Sequence, residues 1–210
     1  MPATVDAVVF DIGNVLIRWD PRLLYRKLFT HVDMTADDGR VAWFLSNVCT
    51  ETWNLEQDRG RPIAEAVEEA IGRHPEYAPQ IRAFYGRFQE MIPGEIPQTV
   101  AALRRAKATG VPVHGLTNFG AETFPPTARR FGFLQDFDTV VVSGEEGVIK
   151  PDPAIFDLLV ARAGLDPART AFIDDSAANI DAAGTLGFVT HHFTEPAAFE
   201  TWWAGIGLPT

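Results

Sequence analysis

Apolar residues along the chain fall into two kinds of pattern. The first is short, continuous and rich in β-branched side chains: Val5–Ile12, Val111–Asn118, Phe137–Ser143, Thr170–Asp174 and Phe188–Phe193. Such runs, bounded by Gly and Asp, predict strands buried on both faces, as in a parallel sheet. The second repeats every three or four residues. Val100, Leu103 and Ala106 mark one face of a helix predicted over Glu95–Thr109. Ile155, Leu158, Leu159 and Ala163 mark another, with Asp152 and Pro153 placed at its start. Ile180, Ala183, Gly184 and Gly187 fit a short helix lying close on a sheet. Strands alternating with helices predict an α/β fold, a Rossmann-like parallel sheet covered on both faces.

The alternation stops after the first strand. Residues 20–93 carry helix signals only: Leu23, Leu24, Lys27 and Leu28; a capped helix from Thr35 through Trp43, Phe44 and Val48; Ile63–Ile71; and Ile81, Phe84, Tyr85, Phe88 and Met91. The expected organisation is a core of residues 1–19 and 94–210 with a helical cap, residues 20–93, inserted into it. The last aromatic stripe is read as the packing of that cap.

In an open parallel sheet, ligands bind beyond the carboxyl ends of the strands. The polar residues at those ends are Asp11, Thr117, Asn118, Asp174 and Asp175, with Lys150 shortly after Ser143. Carboxylates ending apolar strands repel one another and require a cation between them. Hard oxygen donors without a His or Cys cluster favour Mg²⁺, which keeps waters and substrate phosphate in its shell. The remaining residues suit phosphate. Thr117 offers a hydroxyl, the Asn118–Gly120 turn is expected to open a helix near Ala121, and Lys150 supplies a point charge. Pro151 turns Lys150 away from helical backbone angles.

Composition narrows the partners. The 210 residues hold 18 Lys and Arg against 28 Asp and Glu, a net charge of −10. That balance gains little from counterion release, so nucleic acid is not an expected partner. No apolar stretch reaches the ~18 residues of a membrane helix. A single cysteine, Cys49, and an N-terminus without a basic, apolar leader point to a reducing, cytoplasmic setting. The expected partner is a small phosphorylated metabolite, with the protein a monomer or homodimer. Phe199, Trp202, Trp203 and Ile206 form one helical face, expected to dock on the domain.

Four segments carry a family resemblance: VVFDIGNVL, GLTNF, GVIKPDPAIF and FIDDSAANIDAAGTLG. In that order they resemble the four motifs of the haloacid dehalogenase superfamily, and the helical insert stands where subfamily IA places its cap. D-x-G-N-V is similar to the alpha-glucose-1-phosphate phosphatase branch, and F-x-D-D-x-x-A-N to the phosphatase domain of soluble epoxide hydrolase. The resemblance implies a phosphatase in which Asp11 attacks phosphorus to form an aspartyl-phosphate. It implies Mg²⁺ held by Asp11, the carbonyl of Gly13 and Asp175, with Asp174 close or bridging through water. Thr117, Asn118 and Lys150 would hold the phosphoryl group.

Gly13 departs from the pattern. Most phosphatases of the superfamily carry a second Asp there as general acid, a role worth roughly 10²–10⁴-fold. Asp20, at the entry to the cap, is the first candidate to replace it; its structural role would be to cap the helix at Pro21. The gap leaves two alternatives open, a metal-independent 2-haloacid dehalogenase and an inactive binding protein. The resemblance implies that the polar stretch Trp53–Gly60 is a cap turn facing the substrate, with Trp53 a substrate-binding residue; otherwise it is a solvated loop with a core Trp. His191 and His192, adjacent on a strand, point to opposite faces and are read as structural. Glu145 and Glu146 are read as solvated loop charges.

Overall fold

The computed structural model describes residues 5–30 and 35–208. The reading of the N-terminus as leaderless concerns residues 1–4 in part, which lie outside that range. Within it are five strands: β1 (Ala7–Phe10), β2 (Val113–Thr117), β3 (Thr139–Val142), β4 (Thr170–Asp174) and β5 (Val189–His192). Each falls inside an apolar run of the sequence. They form one parallel sheet in the order β3-β2-β1-β4-β5. The chain moves outward from β1 through β2 and β3, then returns to β1's other side. The crevice between β1 and β4 is therefore the topological switch point.

The helices are α1 (Arg22–Leu28), α2 (Asp38–Asn47), α3 (Glu51–Asp58), α4 (Ile63–Arg73), α5 (Ala78–Gly86), α6 (Pro97–Ala108), α7 (Phe124–Arg130), α8 (Ser143–Glu146), α9 (Pro153–Ala163), α10 (Ala177–Thr185) and α11 (Pro196–Gly205). Alternation along the strands divides the core. Val8 and Phe10 face α6 and α11, where Trp203 stacks on Phe10 at 5.9 Å. Val9, Leu116, Val141 and Phe172 face α9 and α10 through Ile155, Phe156, Leu159 and Ala183. The C-terminal aromatic face thus docks on the sheet. No helix among the described residues is long and apolar enough to cross a membrane.

Helices α1 to α5 pack around Tyr25, Phe29, Phe44, Trp53 and Phe84. This cap joins the core through two linkers that pair with each other. Arg18 N donates to Gly94 O, Asp20 N to Met91 O and Ile96 N to Leu16 O, at 2.7–2.9 Å. Apolar packing also crosses the seam, with Phe88 edge-on to Phe119 at 5.7 Å.

Several local expectations change. The cap of α2 is Asp37, whose carboxylate accepts from Arg40 N at 2.9 Å, not Thr35. The Ile81–Met91 stripe is α5 followed by a 3₁₀ turn over Phe88–Met91. The helix expected near Ala121 begins only at Phe124, so its end is set back from the strand-end loop. Glu146 belongs to α8 and makes a two-pronged ion pair with Arg162 at 2.6 and 2.7 Å. His191 stacks on Trp202, while His192 Nε2 lies 2.9 Å from Asp175 O.

His114 on β2 is buried with neither ring nitrogen bonded. Burial lowers its pKa below the usual 6.5, Asp138 opposing and Lys107 adding. The unfolded chain therefore takes up a proton below pH 6.5 that the folded protein resists, and stability is lost as pH falls through that value. His114→Leu removes two unsatisfied groups, each costing about 1–3 kcal/mol. We expect urea unfolding to find it more stable than wild type at pH 7, by a margin that widens at pH 5. A margin that narrows on acidification would contradict the neutral, unpaired state of His114.

Candidate active site

Register places Phe10 of β1 beside Ile173 of β4, so Asp11 and Asp174 emerge side by side. Asp175 follows at once, and one oxygen from each of the three carboxylates lies within 4.8 Å of the others. Lys150, in the loop before α9, puts its amine among them. Nζ stands 2.9 Å from Asp11 Oδ1, and donates to Asp174 Oδ2 at 2.6 Å and to Leu116 O at 2.8 Å. An ammonium has three protons, so Lys150 is saturated. Lys150, Asp11 and Asp174 are 2%, 7% and 0% exposed.

Asp174 is saturated too. Its Oδ1 accepts from Ser176 N at 2.8 Å and Asn179 Nδ2 at 2.9 Å, leaving Oδ2 to Lys150. Asp175 is partly exposed and takes a hydrogen bond from Asn14. Asn14 reaches it from a left-handed backbone, φ 54°, which Asn tolerates better than most residues.

The charges do not balance. Burial pushes Asp11 up to about 7, with Lys150 pulling it down and Asp174 and Asp175 pushing it further. Burial and then Asp174 raise Asp175. Burial would lower Lys150, but Asp11 and Asp174 outweigh it and hold the amine above its usual range. Three clustered carboxylates around one ammonium form a hard-oxygen donor set suited to a divalent cation.

The loop after β2 is tied to the loop bearing Lys150. Asn118 Oδ1 accepts from Lys150 N at 2.8 Å and its Nδ2 donates to Lys150 O at 3.0 Å. Asn118 thus spends its amide on the Lys150 backbone. Thr117 Oγ1 is buried without a partner. Ser143 Oγ accepts from Phe119 N at 2.9 Å, and a Cβ on Gly144 would collide with Ala121 N and lie 2.8 Å from Phe119 O. Only glycine lets α8 approach this loop.

Above these groups is a cavity of about 320 Å³ between core and cap. Asp11, Gly13, Asn118, Lys150 and Asp175 line its floor. Gly13 has no positive φ, and a Cβ built on it meets nothing within 4 Å. Trp19, Phe88 and Phe119 give the walls apolar surface. The cap contributes Glu51, Asn54, Leu55 and Asp58 from α3, besides Phe88 from the 3₁₀ turn after α5.

Two sequence expectations end here. Trp53–Asp58 is helix rather than turn, and Trp53 does not reach the cavity. It is buried in the cap, its ring edge-on to Phe84 at 5.2 Å and its Nε1 donating to Ala66 O at 3.3 Å. Asp20 does not line the cavity either; it accepts from Arg22 N at 2.9 Å at the start of α1. Asn54, Leu55 and Asp58 belong to the stretch expected to face the substrate; with Glu51, which the sequence reading missed, they follow an i, i+3, i+4, i+7 spacing, the signature of one helical face. Reading the segment as helix would have added Glu51.

The sequence model of the haloacid dehalogenase-like hydrolases matches residues 5–187. The chain is 27% identical over 199 residues to a sesquiterpene phosphatase of Aspergillus oryzae, covering 94% of each protein. It is 29% identical over 221 residues to acyl-CoA dehydrogenase family member 10 of Mus musculus; the match takes in 97% of this chain but spans 19% of that protein. In fold it is similar to a haloacid dehalogenase family enzyme of Bacteroides thetaiotaomicron, with TM-score 0.70, 22% identity, and coverage of 91% of this chain and 94% of that one. That enzyme has also been crystallised with magnesium and inorganic phosphate.

Proposed function

This chain belongs to the haloacid dehalogenase-like hydrolases, and from that premise we propose that it is a Mg²⁺-dependent phosphomonoester hydrolase acting through an aspartyl-phosphate on Asp11. The observation that carries the reading is the excess of negative charge at the switch point, three clustered carboxylates against a Lys150 whose protons are all engaged. Asp11, the carbonyl of Gly13 and Asp175 would hold the ion, with Asp174 supporting from behind because its own oxygens are taken. Mg²⁺ would neutralise this charge and draw a phosphoryl oxygen toward Asp11. The unpartnered Thr117 hydroxyl, which is buried and outside the cavity lining, and Lys150, by exchanging its Asp11 contact for a phosphoryl oxygen, would bind the phosphoryl group, and Asn118 would fix the Lys150 backbone. The phosphatase activity named for the Aspergillus relative supports this reading. The acidic pair Asp174–Asp175 argues against metal-independent dehalogenation.

The walls bear on the substrate. Among the described residues lining the cavity, Lys150 is the only Lys or Arg, and it is spent on the floor. The cap side offers Glu51 and Asp58 beside Leu55 and Phe88, while Trp19 Nε1 is a buried donor without a partner. A second carboxylate or phosphate on the substrate would meet acids and apolar surface with nothing to pair it. The substrate is therefore a monoester of an uncharged alcohol, apolar or with neutral hydroxyls.

The test is a phosphatase panel with Mg²⁺ and with chelator. We expect kcat/KM for monoesters of neutral alcohols to exceed that for esters carrying a second anionic group by tenfold or more, the order of one unpaired ionic contact. We also expect millimolar Mg²⁺ to raise Tm by mass action on the folded state. An unchanged Tm together with activity indifferent to chelator would overturn the metal-dependent reading.

A further inference from the structure

We propose that Asp58, carried on the cap, replaces the carboxyl missing at Gly13 and gives the proton to the leaving oxygen. The inference rests on the phosphatase reading and deepens it.

Among the described residues at the cavity, the core has no carboxyl free for that task. Lys150 and Asp174 are saturated by the contacts described, Asp11 is the nucleophile, Asp175 faces the metal position, and Gly13 has no side chain. The remaining carboxyls on the cavity wall are Glu51 and Asp58, a full two turns apart on α3. Glu51 is exposed at the helix start. Asp58 is at the other end, where α3 meets the core. Its carboxyl is hydrogen-bonded by Gly120 N–H, in the loop that begins with Asn118, and Ser143 Oγ donates to its backbone carbonyl. Gly60 packs against Gly144 just beyond. These contacts hold the carboxyl at the seam between the cap and the loop assigned to the phosphoryl group.

Its surroundings suit a donor. Burial pushes the Asp58 carboxyl up to about 7, against the pull of Gly120 N–H, so a large fraction keeps its proton near neutrality. The neighbouring network can accommodate that proton. Tyr85 has one hydroxyl proton yet lies 3.0 Å from Asn54 Oδ1 and 2.9 Å from Gln57 Oε1, while Asn54 Nδ2 lies 2.9 Å from Asp58 Oδ2. Turning the Asn54 amide over gives Tyr85 a donor in place of one acceptor and puts an acceptor against Asp58, which then needs its proton.

The step balances. Asp11 forms a bond to phosphorus as the phosphorus–oxygen ester bond breaks, and the alcohol leaves with the Asp58 proton. Water then attacks the aspartyl-phosphate; Asp58 takes one of its protons, phosphate leaves, and both carboxyls return to their starting states.

The test measures single-turnover rates on alkyl and aryl phosphates of graded leaving-group pKa, with Mg²⁺, for wild type, Asp58→Asn, Gly13→Asp and the double variant. Wild type should depend weakly on leaving-group pKa. Asp58→Asn should lose about 10²–10⁴-fold on alkyl phosphates, the usual worth of a positioned acid, and less than tenfold on the most acidic phenols. Gly13→Asp, for which the structure has room, should flatten that dependence again when added to Asp58→Asn. The slope across substrates is independent of the folded fraction, so partial unfolding cannot imitate the result. Asp58→Asn slowing all substrates by one factor would make Asp58 a docking residue and overturn the proposal, as would an unchanged slope. A wild type that hydrolyses no phosphate ester would instead overturn the phosphatase reading, and this proposal with it.

Discussion

Asp11→Asn is expected to abolish turnover while leaving the protein folded. An amide cannot form the acyl phosphate, so the loss should be on the order of 10³-fold or more, the scale seen when a nucleophile is deleted. Folding should survive because Lys150 keeps its 2.6 Å contact with Asp174 and its bond to Leu116 O, while the repulsion among the three carboxylates is relieved. The same variant should lose most of the Mg²⁺-induced rise in Tm, since one charged donor is gone. The measurements are steady-state hydrolysis and thermal melting with and without Mg²⁺. Activity above a few per cent of wild type, with deamidation excluded by mass spectrometry, would remove Asp11 as nucleophile.

Lys150→Met is expected to have the largest effect on stability. It leaves Asp11 and Asp174 buried without their ammonium, and Leu116 O without its donor. Breaking a buried ion pair from one side costs about 3–5 kcal/mol. Mg²⁺ should recover part of that loss, because a divalent cation can neutralise the same carboxylates. Lys150→Arg should not restore the wild-type state, since a planar fork cannot meet three acceptors grouped around one nitrogen. Urea unfolding decides the matter: a loss below about 1 kcal/mol would mean that the charges relax into solvent when Lys150 is removed.

The core was legible because its signals are local. Each strand is a short apolar run, and the residues that end those runs fall on the same edge of a parallel sheet. Asp11, Thr117, Asn118, Lys150, Asp174 and Asp175 could therefore be gathered from order alone. Asp152 also caps α9 where the sequence suggested, accepting from Ala154 N at 3.0 Å. The cap was less legible. Trp53 is expected at the substrate because the resemblance implies a cap turn there facing the site, whereas the segment is helical and the Trp53 ring packs against Phe84. Which face of α3 meets the core depends on how cap and core pack across the seam, information spread over residues far apart in sequence. The pairing of Asn118 with the Lys150 backbone is of the same kind, since two loops 32 positions apart meet only in the folded sheet.

The paired linkers make the cap an insertion with closed ends. The chain leaves the core near Leu16 and re-enters it near Ile96, joined there by Ile96 N to Leu16 O at 2.7 Å. To the core, everything between is a loop already tied at its neck. Closing such a loop costs only about 0.6 kcal/mol more for each doubling of its length. The segment can therefore be lengthened, shortened or exchanged with little entropic penalty to the sheet below, and a different cavity wall can be grafted above an unaltered cluster of carboxylates and Lys150. The constraint on a transplanted segment is one of surface rather than length. It has to supply its own partner for Phe119, where Phe88 now packs, or the graft will leave an aromatic patch open to water at the mouth of the site.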